Sequence, residues 1–178
     1  PTKLSHNEIL KANDPALAGN LAATMADPAA DRFSDDDTQF LKFHGAYQQD
    51  DRDLRKTGKK YQMMIRGRIP GGVMTAAQWI TFDELATTHG NDTLRLTTRQ
   101  SIQFHGVILS GLGPLIKKIN ESLLSTLAAC GDVSRNVTAS PTPAITRARE
   151  LVYQDSIKLA DALTPQTGAY HSIWIDGQ

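Results

Sequence analysis

Arginine is the residue type whose placement in this sequence points to chemistry. Arg66 and Arg68 alternate with Tyr61, Met63, Ile65, Gly67 and Ile69, Arg95 and Arg99 follow the same rule around Leu94 and Leu96, and Gln103 and His105 oppose Ile102 and Phe104. Period-two alternation marks half-buried strands, so these polar residues should share the open face of a sheet. No acidic residue occupies that face. A guanidinium fork binds a carboxylate, phosphate or sulfur oxyanion through two parallel hydrogen bonds, and four forks without matching carboxylates fit a ligand carrying several anionic groups. The competing reading is an arginine-rich surface that pairs with Asp50, Asp51 and Asp53. A further basic position, Arg135, lies in the loop Gly131-Asp132-Val133-Ser134-Arg135-Asn136-Val137. Loop residues held by flanking elements are natural ligand contacts, although Asp132 could equally pair with Arg135.

Other reactive residue types are sparse. The single cysteine, Cys130, excludes an internal disulfide and a four-thiolate zinc or iron–sulfur site built from this chain alone. It reads as a structural thiol near a helix end. His44, His89 and His171 lack a metal-ligand spacing, so no metal site is expected and they read as ordinary polar residues. Trp79 and Trp174 read as core.

The elements that must position the arginines follow from the same patterns. A strand from Tyr61 to Ile69 stops at Pro70-Gly71-Gly72. Thr75-Ala76-Ala77-Gln78 is a capping box opening a helix with Trp79, Phe82 and Leu85 on one face, ending near Gly90. Strands around Leu94–Leu96 and Ser101–Val107 come next, and Pro114 sits near the start of a helix striped by Ile116, Ile119, Leu123 and Leu127 that ends by Gly131. This β-α-β-β-α order makes an α+β fold, most of a ferredoxin-like split βαβ unit with an antiparallel sheet and helices on one face. A helix from about Ile145 to Leu163 and a strand from Tyr170 to Ile175 follow. The expected organisation is an extended acidic arm over 1–40 with at most short helices, a half-domain over 41–130, and the start of an incomplete second domain over 131–178.

The 178 residues are one domain's worth, and 40% hydrophobic with 21% charged residues suits a globular chain rather than a disordered one. Nineteen basic residues balance nineteen acidic ones, so no global field draws the chain to nucleic acid or to an acidic membrane. The zero total hides an asymmetry: residues 1–40 carry three basic and seven acidic side chains, residues 41–68 eight and three. The longest nearly apolar stretch, His105 to Ile116, is broken by three glycines and a proline, and no membrane span is expected. Pro1-Thr2-Lys3 shows no signal-peptide core.

Four segments in the same order resemble a known family. Phe43-His44-Gly45-Ala46-Tyr47-Gln48-Gln49-Asp50-Asp51-Arg52-Asp53 resembles the N-terminal signature of sulfite reductase haemoproteins, and Arg66-Gly67-Arg68-Ile69-Pro70-Gly71-Gly72 the arginine strand shared by sulfite and nitrite reductases. Leu94 to Gly106 is similar to the family's sirohaem-binding strand pair, and Ser134-Arg135-Asn136-Val137 to its substrate loop. The resemblance implies a six-electron reduction of sulfite to sulfide on a sirohaem coupled to a 4Fe–4S cluster. By motif position, Arg66 and Arg135 would bind the substrate anion and serve as the catalytic pair, while Arg66, Arg95, Arg99, Gln103, His105, Arg135 and Asn136 would hold the macrocycle and its eight carboxylates. Sulfite is favoured over nitrite because nitrite reductases usually replace the Gln-Phe-His-Gly and Tyr-Gln-Gln-Asp-Asp-Arg-Asp segments.

The departures from the family are informative too. Its cluster cysteines and a pair of active-site lysines fall beyond Gln178, so the chain reads as the N-terminal portion of such an enzyme, inactive by itself. Electrons would come from ferredoxin, towards which Cys130-Gly131-Asp132-Val133 leans, or from a flavoprotein reductase. The expected compartment is the cytoplasm, or a plastid in a plant. The alternatives are a sirohaem nitrite reductase and a ferredoxin-like RNA-binding module, which would stack bases on exposed strand aromatics.

Overall fold

A computed structural model describes residues 3–51, 56, 58 and 60–177. Arg52 and Asp53, the end of the first motif and one of the acidic residues weighed as an arginine partner, lie outside the described residues. Before the sheet come three short helices, α1 (His6–Asn13), α2 (Leu21–Ala26) and α3 (Asp37–Phe43). A Ser5–Glu8 capping box starts α1. The segment is anchored, because Leu21 and Phe33 are buried in the core. Asp37 is buried as well, accepting from the Asn20 N–H at 2.8 Å and the Ser34 hydroxyl at 2.7 Å.

The sheet is antiparallel, with strands β1 (Ala46–Asp50), β2 (Tyr61–Arg66), β3 (Leu94–Leu96) and β4 (Ile102–Val107) in the spatial order β1-β2-β4-β3. Helices α4 (Ala76–His89) and α5 (Leu109–Glu121) cover one face, giving the ferredoxin-like α+β arrangement. Ile65, Phe104 and Val107 from the strands and Phe82, Leu85, Leu112, Ile116 and Ile119 from the helices form the buried layer between them. The Phe82 and Phe104 rings lie 5.0 Å apart between centroids. The capping box at Thr75 and Gln78 is present and α4 stops at Gly90. Beyond the sheet, α6 (Arg147–Ala162) starts at its N-cap Thr146. Then α7 (Ala169–His171) continues into a π-helical turn, Ser172–Asp176.

Several expectations are corrected. Strand β1 has no counterpart in the sequence reading because its inward position is polar: Gln48 faces the core side and pairs with the Phe33 main chain, accepting from its N–H at 2.7 Å and donating to its carbonyl at 3.2 Å. Helix α5 begins five residues before Pro114, since its buried stripe reaches back through Leu112 to Leu109. It ends at Glu121 rather than near Gly131: Leu123 turns into left-handed backbone (φ 64°) and is 90% exposed. Cys130 is therefore a buried loop residue. Trp79 is 44% exposed rather than core, and Leu96 is exposed at the short edge strand β3. Tyr170 to Ile175 is helical rather than a strand. The buried residues there are Tyr170 and Trp174, whose spacing of four is that of one helix face.

Candidate anion and cofactor site

Cross-strand register assembles the site. Arg66 on β2 and Arg95 on β3 both stand opposite Gln103 on the central strand β4, so the three form one row on the face away from α4 and α5. Between Phe104 and Val107, β4 sets two residues, His105 and Gly106, against the single Met64 of β2. This bulge is made at Gly106, whose φ of 74° suits glycine and where a Cβ would come within 2.8 Å of the Asn91 Cβ. His105 sits beside the bulge, with its ring against Gln103. Turned so that its oxygen faces the guanidinium, the Gln103 amide accepts from Arg66 Nε at 3.1 Å and donates to His105 Nε2 at 3.2 Å. Arg66 also donates from Nη1 to the Ala129 carbonyl at 3.4 Å.

Two loops complete the cluster. Arg99 sits in the tight β3–β4 connection, closed by the Thr97 N–H to Ser101 carbonyl bond at 2.9 Å and fixed to β2's end by the Ser101 hydroxyl donating to the Gly67 carbonyl. The Pro70-Gly71-Gly72 turn packs against it so closely that a Cβ on Gly72 would lie 2.6 Å from the Gln100 Cβ. Arg135 is brought in by the loop after α5.

The electrostatics record this convergence. Burial holds the Arg66 guanidinium below its ordinary pKa; Arg135 and Arg99 push the same way, and Cys130 acts against them. Burial likewise lowers the His105 pKa, assisted by Arg95 and Arg66. Among the described residues, none of Arg66, Arg95, Arg99 and Arg135 forms an ion pair with a carboxylate. The structure thus gathers Arg66, Arg95, Arg99, Gln103, His105 and Arg135 into one half-open cluster. Gathered like charges without counter-charges are what a polyanionic ligand would stabilise.

Two residues from the sequence reading take other places. Arg68 does not join the open face. The ladder to β4 ends at Arg66, and the chain then turns so that the Arg68 N–H reaches the Ser125 carbonyl at 2.6 Å. Its buried guanidinium donates to the Ala160 carbonyl at 2.7 Å and the Ser134 carbonyl at 3.3 Å. Asn136 is buried, with its amide bonded to main chain. His44, expected to be an ordinary polar residue, is buried, and its Nδ1 accepts from Trp174 Nε1 at 2.7 Å. Its polar type gave no signal of burial.

The donor set can also be tested against the groups that the motifs imply. Outward-facing arginines with free donor capacity, beside Gln103 and His105, suit a flat macrocycle bearing carboxylates. They do not suit an iron–sulfur cluster, because the chain has one cysteine and, among the described residues, no group of three or more His, Cys, Asp and Glu side chains is close enough to hold a metal ion.

Residues 55–122 match the family model described as the nitrite/sulfite reductase ferredoxin-like half domain. The fold is also that of the Mycobacterium tuberculosis NirA protein, with a TM-score of 0.68 at 23% identity over 82% of this chain and 29% of that one. The chain is also similar to sulfite reductase haemoproteins of several bacteria. It is 46% identical over 98% of its length to the sulfite reductase (NADPH) hemoprotein beta-component of Myxococcus xanthus, 47% over 99% to that of Staphylococcus haemolyticus and 49% over 98% to that of Methylobacterium nodulans. It spans about a third of their length, 32%, 32% and 30% respectively. Among the described residues no helix is long and apolar enough to cross a membrane.

Proposed function

We propose that this chain is the N-terminal portion of an assimilatory sulfite reductase haemoprotein and supplies the cationic wall of its sirohaem and sulfite site. The observation that carries the reading is the row Arg66–Gln103–Arg95, flanked by Arg99 and Arg135 and, among the described residues, without carboxylate partners. Arg95, Arg99, Gln103 and His105 bind the carboxylates of the macrocycle. Arg66 and Arg135 would hold the substrate anion and stabilise negative charge on its oxygens. When bound, sirohaem coupled to a 4Fe–4S cluster supplies the electron transfer. The cluster's thiolates belong to a part of the protein outside this chain, so the chain alone should not reduce sulfite with a chemically reduced dye. The relatives' NADPH designation favours electrons from an NADPH-fed flavoprotein over ferredoxin.

Titrating sirohaem into the purified chain tests the reading. A shifted, saturable Soret band that weakens when Arg95 and Arg99 are both changed to Ala is expected. No shift, or a shift indifferent to those substitutions, would overturn it. The RNA-binding alternative gets no stacking surface from the central strand, since Phe104 is wholly buried against Phe82 of α4.

A further inference from the structure

We propose that Asn136 is the positioning residue that sets the spacing of Arg66, Arg99 and Arg135, clamping into one unit the three main-chain segments that carry them. The inference rests on the reading of this cluster as the wall of a sirohaem and anion site. Asn136 Oδ1 accepts from the Ile69 N–H at 2.9 Å, and Nδ2 faces three carbonyls, those of Ile69 at 2.7 Å, Arg99 at 2.9 Å and Gln100 at 3.1 Å. A buried amide engaged in this way has little left to offer a ligand, so its contribution to the site runs through the segments it grips.

Each of those segments bears a site arginine. Ile69 lies three residues past Arg66, Arg99 is itself gripped by its carbonyl, and Arg135 is the chain neighbour of Asn136. Arg135 is held from its other side too, because the Arg68 guanidinium donates to the Ser134 carbonyl. Gln100 closes a second clamp between the same loops, with its amide accepting from the Ala139 N–H at 2.9 Å and donating to the Ala139 carbonyl at 2.8 Å. The arrangement answers a physical need. Arg66, Arg99 and Arg135 repel one another, and loops free to move would carry them apart. A ligand with carboxylates at fixed spacing requires the cations to stay where they are before it arrives.

The test uses the full chain with sirohaem as the probe and two variants that leave every charge in place, Asn136→Ala and Gln100→Ala. Each should keep its far-UV circular dichroism, bind sirohaem roughly tenfold or more weakly, and give an altered induced circular dichroism in the Soret band per bound macrocycle. A residue that merely stabilised the fold would lower the unfolding midpoint and leave both binding readouts of the folded protein unchanged, and that result would overturn the proposal. If Asn136→Ala does not fold, Gln100→Ala decides, since it loosens the same two loops from the opposite side. Failure of the unsubstituted chain to bind, or indifference to the double Arg95 and Arg99 change, would instead defeat the underlying site reading. That failure is separable because it precedes any effect of the clamp variants.

Discussion

Acid should unfold this protein in part through one histidine. His44 is buried between Tyr170 and Trp174, with ring centroids 5.8 and 5.9 Å away. The indole N–H can only donate, so Nδ1 of His44 must be bare, and Nε2 carries the proton it gives to the Leu17 carbonyl at 2.8 Å. Protonating Nδ1 would set two N–H groups against each other and place a cation in the core. Burial accordingly pulls the His44 pKa from 6.5 down to about 4, with the Leu17 carbonyl and Asp14 opposing it. The unfolded chain takes up a proton near pH 6.5 that the folded chain refuses until about pH 4. His44 therefore costs the fold nothing above the upper value, and stability falls as pH drops through the window between the two. The full loss is about 3–4 kcal/mol, from a displacement of about 2.5 pH units at about 1.4 kcal/mol each. Urea unfolding followed by tryptophan fluorescence, at about pH 7.5 and about pH 4.5, should show most of that loss in the unsubstituted chain. His44→Gln lowers stability at neutral pH but removes the titration, so its loss between the two conditions should be smaller by about 2–3 kcal/mol. Carboxylates titrate alike in both proteins and cancel in the comparison. Equal losses in the two proteins would refute the reasoning.

Two further outcomes test the supports of the site and of the fold. Arg68→Met keeps the buried stem but leaves the Ser134 and Ala160 carbonyls without their donor, and should lower stability by about 2–3 kcal/mol in urea titrations. The same change at the exposed Arg147 should stay within about 0.5 kcal/mol. Leu123→Gly relieves a left-handed backbone at a side chain that buries almost nothing, and should raise the thermal midpoint, corresponding to a gain of about 0.5–1 kcal/mol. A lowered midpoint would mean that the Leu123 side chain does more than its exposure indicates.

The parts of the fold that were legible in the sequence are those where burial and residue type agree. Strands β2 and β4 could be placed because Ile65 and Phe104 are apolar where the helices cover them, and α4 because Thr75 and Gln78 announce its cap. Legibility failed where a polar side chain does a structural job. Gln48 faces inward and serves as main-chain partner to Phe33, which hides β1. It failed again where the tertiary setting changed the period. Tyr170 to Ile175 looks like an alternating strand, yet Tyr170 buries its ring while its hydroxyl meets Asn120 at 2.8 Å and the Thr126 N–H at 3.1 Å. A helical turn lets Trp174 reach His44 from the same face.

The site shows why its binding groups could be recognised and their supports could not. A group meant for a ligand must stay clear of carboxylates, so Arg66, Arg95 and Arg99 stand out as cations in strand segments without acidic residues. Arg66 and Arg95 lie on the strand face, whereas Arg99, which alternation assigns to that face, sits in the β3–β4 turn. Arg68 is the same residue type two positions along, and alternation alone assigns it to the same face. The strand ends between them, and β-strand periodicity cannot carry a side chain past the last residue of the ladder. Its donors are then spent on carbonyls. Asn136 spends its own amide in the same way, on bonds to backbone that any sequence would offer, so neither partner leaves a mark in residue type. Neutral total charge hid the cluster for a related reason: the acidic residues balancing it are placed elsewhere, Asp37 in buried hydrogen bonds and Asp36 against His6 at 2.7 Å. Charge balance is a property of the whole chain, whereas binding depends on where the balance fails locally, and here it fails along one row of three strands.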